Sequence, residues 1–298
     1  MHLKGRRKKI EVFDVVNTAI LIVVLLVIMY PLYFVVIASI SDPTAVNSGL
    51  VTLLPKGFTL EGYKRVLQET QIWRGYLNSI IYTVVYTLIG LVVTFAAAYS
   101  LSRKDFRCRN FFMVFFMITT FFGGGLIPTY LLMRNLHIVN TMWAIVLPGS
   151  FSVFNVIVIR TYFQTTIPYE LQEAAKIDGC SDFKILTRIM LPLSAPIVAV
   201  MALFLAVAMW NSYFSAMIYL TDETKYPLQL ILNQILVEQQ LSSQMAGSSG
   251  GVAMAEQARI SELIKYAVMI VSSLPVLIIY PFLQKYFVKG IMVGAVKG

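Results

Sequence analysis

Glu173, Ala174, Ala175, Asp178 and Gly179 lie together in EAAKIDGCSDFKILTRIMLPLSAP, residues 173–196, a polar interruption between apolar runs. Their chemistry is that of contact rather than bond-making. Two alanines let another surface come close to the backbone, and the flanking carboxylates give such a contact specificity. A second set, Trp210, Asn211, Tyr213 and Phe214 in MWNSYF, places aromatic rings beside an amide. Such rings can stack on sugar rings while the amide bonds hydroxyls. The same residues also suit an aromatic belt at a membrane surface.

Nothing else in the chain has the spacing of a reactive site. The cysteines, Cys108 and Cys180, and the histidines, His2 and His137, do not stand at metal-ligand spacing and imply no disulfide framework. No paired carboxylates and no Ser/His/Asp set fall at membrane depth. The string VKGIMVGAVKG lacks the spacing and the Ser or Thr of a phosphate-binding loop. The chain is therefore expected to carry no catalysis and to bind no metal, cofactor or ATP of its own.

The elements that must position these residues are membrane spans. The 298 residues are 58% hydrophobic and 13% charged, too little polar material to cover a water-soluble domain of this size. A span needs about 20 apolar residues. Six windows qualify, at about 15–40, 76–101, 111–133, 141–163, 193–219 and 266–288. The net charge of +9 reads as topology rather than nucleic-acid binding. Lys4, Arg6, Arg7, Lys8 and Lys9 share one side with Arg103, Lys104, Arg107 and Arg109. Arg160, Lys176, Lys184, Arg188, Lys285, Lys289 and Lys297 join them there if the spans alternate. The other side spreads Lys56, Lys64, Arg65, Arg74, Arg134, Lys225, Arg259 and Lys265 over longer loops. The richer side is predicted to be cytoplasmic, with both termini and residues 164–192 on it. Trp73, Trp143 and Trp210 then fall at or near outer span ends. Arg103 and Arg107 are read as anchors for anionic lipid headgroups.

No ionisable residue is predicted well inside a span, so the relay of a proton-coupled carrier is missing. Any driving energy must come from a partner. Gly123, Gly124, Gly125 and Pro128 interrupt the third window, either as a flexible element near an outer gate or as a close-packing surface. In the outer loop, about 220–265, PLQLILNQIL suggests an interfacial or docking helix and SSQMAGSSGG a flexible linker.

The polar stretch itself carries helix signals. Pro168 suits a first turn, Glu170 and Glu173 favour the positive end of the dipole, and Leu171, Ala174 and Ala175 form a small apolar face. Gly179 is placed to end this helix in a left-handed conformation, and Ser181 and Asp182 to cap the next. Pro192 and Pro196 mark the start of the fifth span.

This stretch resembles the EAA loop of ABC importer permeases, the membrane subunits of binding-protein-dependent uptake systems. The pattern is met by Glu173-Ala174-Ala175, Asp178-Gly179 and Ile189-Met190-Leu191-Pro192, with Cys180 where the family commonly has alanine. YLNSIIYTVVYT, AAAYSLSR, FFGGGLIPTYLL, LPGSFSVFNVIVIRTYF and YPFLQKYFVKGIMVGAVKG extend the resemblance to the maltose-type carbohydrate branch, in particular its oligosaccharide and polysaccharide-fragment permeases. The resemblance implies an all-α, polytopic membrane protein of six transmembrane helices. It makes Glu173, Ala174, Ala175, Asp178, Gly179, Leu191 and Pro192 the ATPase-coupling residues. Gly124, Trp210, Asn211, Tyr213 and Phe214 are candidates for the substrate path. It further implies a second related permease, two ATPase subunits that hold ATP and Mg, an extracytoplasmic solute-binding protein and a carbohydrate substrate. The chain would divide into a basic cytoplasmic N-terminus (1–14), the transmembrane domain (15–290) and a cytoplasmic tail (291–298), in a bacterial cytoplasmic membrane. A permease for a non-sugar solute and a stand-alone secondary carrier are the alternatives.

Overall fold

A computed structural model describes residues 12–249 and 264–278 together with Arg259 and Pro281. Every regular element among the described residues is helical. They run α1 (Val12–Ser39), α2 (Pro43–Asn47), α3 (Glu61–Gln68), α4 (Thr70–Ser102), α5 (Arg109–Phe121), α6 (Leu126–Asn135), α7 (Trp143–Gly149) and α8 (Val153–Thr166). There follow α9 (Glu170–Ile177), α10 (Asp182–Ile185), α11 (Leu191–Leu193), α12 (Ala195–Trp210), α13 (Phe214–Tyr219), α14 (Leu228–Ser249) and α15 (Ile264–Ile278).

The chain divides into two compact units: residues up to 68 with 235–271, and 69–234 with the residues from 272 onward. In the first unit α1 leaves almost all of its apolar side chains exposed, as a helix bathed in lipid must. Its C-terminal end packs, where Phe34, Ile37 and Ala38 meet Val46, Val51 and the ring of Tyr266. The short α2 begins at Pro43, and Asp42 caps it by accepting the Ala45 amide at 3.4 Å.

The second unit is organised around α4. Its 33 residues reach about 50 Å, well beyond the hydrocarbon thickness. Gly75, Ser79, Tyr82, Tyr86, Gly90, Thr94 and Ala98 recur every three or four residues and form its buried face. That face packs chiefly on α12 and α8. Small residues permit the approach: a Cβ on Gly90 would stand 2.9 Å from the Ser150 carbonyl oxygen and 2.9 Å from Leu205 Cδ1. Two cores result. One gathers Tyr82, Tyr86, Ile145, Val146, Leu205 and Met209, and the other gathers Phe95, Tyr99, Val156, Ile159, Phe163, Ile185 and Met190.

Among the described residues only α1 and α4 are long and apolar enough to span by themselves. The predicted windows at 111–133 and 141–163 are broken helices instead. α5 and α6 meet at 112° across Phe122–Gly125, and α7 and α8 at 48° after Pro148. Gly125 takes φ +80°, a conformation that side-chain-bearing residues resist, and no atom lies within 4 Å of a Cβ built on Gly123 or Gly125. Within this chain those glycines break the helix rather than pack it closely. The predicted fifth window, 193–219, ends its helix at Trp210, and α13 resumes at Phe214. Most of 266–288 beyond Ile278 lies outside the described residues, as do most of 1–14 and all of 291–298.

The outer loop also differs from expectation. Residues 242–249, predicted to be a linker, continue α14, because an established helix propagates cheaply through Gln, Met, Ala and even Ser. Its first turn is not a free interfacial helix. The Leu228 amide donates to Ser79 Oγ at 2.8 Å, and Leu228, Leu230 and Ile231 are buried.

Candidate coupling site

The polar stretch folds as two short arms about Gly179. In α9 the acidic residues Glu170 and Glu173 occupy the first turn and Lys176 the last, as the helix dipole favours. Gly179 adopts φ +76°. Around it the Cys180 amide reaches the Ala175 carbonyl at 2.9 Å and the Gly179 amide reaches Lys176 at 3.0 Å. This is a Schellman closure, which satisfies carbonyls that the helix end would orphan. Ser181 then caps α10 by accepting the Lys184 amide at 3.4 Å.

The second arm does not end with α10 at Ile185. It passes through a π-helical turn, Leu186–Met190, where the Leu191 amide bonds the Leu186 carbonyl. Pro192 has no N–H to continue the ordinary ladder, so the sequence Ile189-Met190-Leu191-Pro192 sits where the helix register shifts. The arm then turns by 87° into α12.

The joint has a buried side and an exposed side. Ala175, Ile185 and Met190 enter the core formed by α4 and α8, each large side chain adding about 1.5–3 kcal/mol of burial. Glu173, Ala174, Asp178 and Gly179 face outward. The predicted shared face of Ala174 and Ala175 is corrected here: adjacent residues lie about 100° apart on a helix, so Ala175 packs inward and only Ala174 can meet another surface. Leu191 is half-buried and Pro192 exposed at the far end of the second arm.

Two residues not singled out from the sequence complete the exposed side. Ile177 is 87% exposed and Phe183 is 76% exposed, on either side of Gly179. They add bared apolar side chains to the exposed carboxylates of the joint. Their signal was faint, because an isolated exposed apolar residue is ordinary.

Arg103 is the second correction. It is 7% exposed, and its guanidinium is engaged by side chains of the protein rather than open at the surface. Its guanidinium donates to both Asp105 carboxylate oxygens at 2.8 and 2.6 Å and to the Tyr99 hydroxyl at 2.8 Å, and it also pairs with Asp182. Asp105 in turn pairs with Lys176, and Lys104 Nζ lies 4.5 Å from the centre of the Tyr169 ring. Hydrogen bonds from Arg103, then from Lys176, hold the Asp105 carboxyl far below the usual carboxylate range. The hydrogen bond to Asp105 in turn raises both the Arg103 guanidinium and the Lys176 ammonium. A depressed carboxylate adds stability above its unfolded value and loses it only as pH falls through the folded value. The raised lysine loses its share only as pH climbs through its own folded value. Arg103, Asp105 and Lys176 therefore stay ionised through the neutral range.

A family model described as binding-protein-dependent transport system inner membrane component matches residues 90–293, which include the whole joint. The chain belongs to this family. Among relatives of this inner membrane component is Protein LplC of Bacillus subtilis (strain 168), 38% identical, with 100% of this chain and 99% of that protein covered. The polygalacturonan/rhamnogalacturonan transport system permease protein YtcP of the same organism is also 38% identical, over 97% of this chain and 100% of that one. A crystal structure of a bacterial ABC transporter involved in the import of the acidic polysaccharide alginate aligns with TM-score 0.83 and 32% identity, covering 96% of this chain and 100% of that chain.

The family member's second residue set is dispersed rather than gathered. Trp210 is 6% exposed, its indole N–H donates to the Ser272 carbonyl at 3.1 Å, and its ring meets Tyr76 edge-on at 5.6 Å. It lines an apolar cleft of about 130 Å³ with Val84, Leu203, Val207 and Pro275. It is thus a packed residue and not part of an exposed aromatic belt. Asn211, Tyr213 and Phe214 are exposed, with Asn211 Nδ2 donating to the Val207 carbonyl at 2.9 Å. Gly124 is exposed at the α5–α6 break.

Proposed function

We propose that this chain is one of two related permease subunits of an ATP-driven importer, and that it moves an oligosaccharide inward. The reading rests above all on the joint at 170–192: two capped arms, seated on the core below α4 and α8, that bare Glu173, Ala174, Ile177, Asp178 and Phe183. That surface is the socket part for an ATPase subunit. Two ATPase subunits, with ATP and Mg, close on the cytoplasmic side and push the joint. An extracytoplasmic binding protein delivers the solute on the other side. The chain performs no hydrolysis itself. The carbohydrate assignment is supported by relatives whose names specify polygalacturonan, rhamnogalacturonan and alginate.

In this reading six spans cross the membrane, namely α1, α4, the bent pairs α5–α6 and α7–α8 as one span each, the α12 segment and the window at 266–288, and both termini are cytoplasmic. Asn211, Tyr213, Phe214 and Gly124 are the path residues open to solute, while Trp210 supports them from behind. The orientation makes a prediction. In intact cells an impermeant maleimide should label a cysteine placed at Ser248, while native Cys180 stays unlabelled until the membrane is opened. Labelling of Cys180 from outside would invert the orientation and remove the joint from the ATPase side.

The activity is tested in proteoliposomes holding both permeases, the ATPase and the binding protein. ATP-dependent uptake of oligogalacturonides or of neutral oligosaccharides is expected, with none by this chain alone under an ion gradient. Gradient-driven uptake by the isolated chain would make it a secondary carrier instead.

A further inference from the structure

We propose that Arg103, Lys104 and Asp105 form a three-point clamp that ties both arms of the joint to the end of α4. The proposal rests on the coupling role of the joint. Each of the three consecutive residues grips a different part of the polar stretch. Arg103 pairs with Asp182 on the arm after Gly179. Asp105 pairs with Lys176 on the arm before it. Lys104 covers the ring of Tyr169 at the head of α9. Arg103 and Asp105 are themselves joined by two hydrogen bonds, and Tyr99 on the last turns of α4 accepts a further one.

The arrangement answers a mechanical need. The joint is covalently continuous with α12, but only through a bend of 87°. A push along α10 is redirected there, so the chain path alone transmits it poorly. The apolar seat of Ala175, Ile185 and Met190 holds the joint down but fixes no direction, since such contacts are non-directional. Charge-assisted hydrogen bonds do fix direction, and Arg103 is itself held in one orientation by both Asp105 oxygens. The clamp fastens both arms, on either side of Gly179, to a single rigid point. α4 runs from that point along the whole second unit and packs on α12 and α8. Displacement of the joint is thereby delivered to α4 directly. The exposed pairs would add little singly. Arg103 differs, because it is buried and three groups share its guanidinium. These three are positioning residues, and none of them touches solute.

The test uses the complete transporter in proteoliposomes with its binding protein. Arg103→Ala, and separately the pair Asp182→Asn with Lys176→Gln, should keep the ATPase bound and its basal hydrolysis unchanged. Binding-protein-stimulated hydrolysis and uptake should fall about tenfold, within the ordinary range of coupling between sites. In a Cys108→Ser, Cys180→Ala background, Asp105→Cys with Lys176→Cys should show the same loss. A short bifunctional thiol linker across the two cysteines should restore stimulation. That rescue separates direction-setting from plain stability, and it decides the matter even if Arg103→Ala fails to assemble. Wild-type stimulation in Asp182→Asn/Lys176→Gln, or no recovery on linking, overturns the clamp and leaves the joint's coupling role standing. Loss of ATPase binding in those variants also overturns it, by making the triplet part of the docking surface.

Discussion

Gly179→Val should abolish most binding-protein-stimulated ATP hydrolysis while the spans still insert. The cause is backbone conformation and not crowding. Gly179 has φ +76°, and a Cβ there would meet nothing within 4 Å. A β-branched residue forced into that region costs about 1–3 kcal/mol. The chain relieves this strain by rotating φ, which breaks the bonds from Cys180 to Ala175 and from Gly179 to Lys176. The angle between the arms then changes, which moves Ile177 and Phe183 relative to one another. Strain of this size converts to a fall of about 5- to 150-fold in a coupled equilibrium. Glu173→Ala removes one exposed carboxylate and leaves the backbone alone, so its effect should stay within about 1 kcal/mol. Co-purification of the ATPase and stimulated hydrolysis, measured on both variants, should rank them in that order. Equal behaviour of Gly179→Val and wild type would reduce the stretch to a capped linker.

Trp210→Ala should behave as a stability defect. The ring is buried, its N–H is spent on the Ser272 carbonyl, and it stands beside a cleft that removal would enlarge. Truncating a buried tryptophan costs about 3–5 kcal/mol, enough to lower the yield and melting temperature of the purified assembly sharply. Tyr213→Ala and Asn211→Ala, on exposed side chains, should leave melting nearly unchanged. If these residues line the path, the two variants should instead raise the solute concentration needed for half-maximal uptake. A Trp210→Ala transporter with wild-type melting and impaired uptake would restore Trp210 to direct solute contact.

The coupling joint was legible in the sequence because local rules determine it. Glycine at a helix end and serine as the next cap act over a few residues, and each appears where those rules place it, whereas the π-helical turn before Pro192 is not foreseen by them. Membrane windows were legible as composition but not as straight helices. Hydropathy is blind to Gly123–Gly125 turning the backbone through 112° or to α13 restarting after Trp210. The side-chain partners were least legible. Arg103 reads as one of several basic residues near a membrane surface, yet its partner Asp182 lies 79 positions away. Trp210 reads as an interfacial aromatic for the same reason: Ser272 is 62 residues distant, and single-sequence periodicity contains no trace of that contact. The burial of Ala175 against exposure of Ala174 follows from helix geometry once the core side is known, and only tertiary packing supplies that side.

The coupling role is tested most directly by contact. In a background of Cys108→Ser and Cys180→Ala, Ala174→Cys is exposed on the joint and small enough to leave the arms intact. With the assembled transporter in membranes, a short thiol-reactive photocrosslinker on this cysteine should attach to the ATPase subunit, and the yield should change when ATP closes the nucleotide sites. The same reagent on a cysteine at Ser248, across the membrane in this account, should give no such product. An Ala174→Cys adduct that forms only with lipid or with the permease itself, in a transporter that still hydrolyses ATP and imports its solute, would contradict the account.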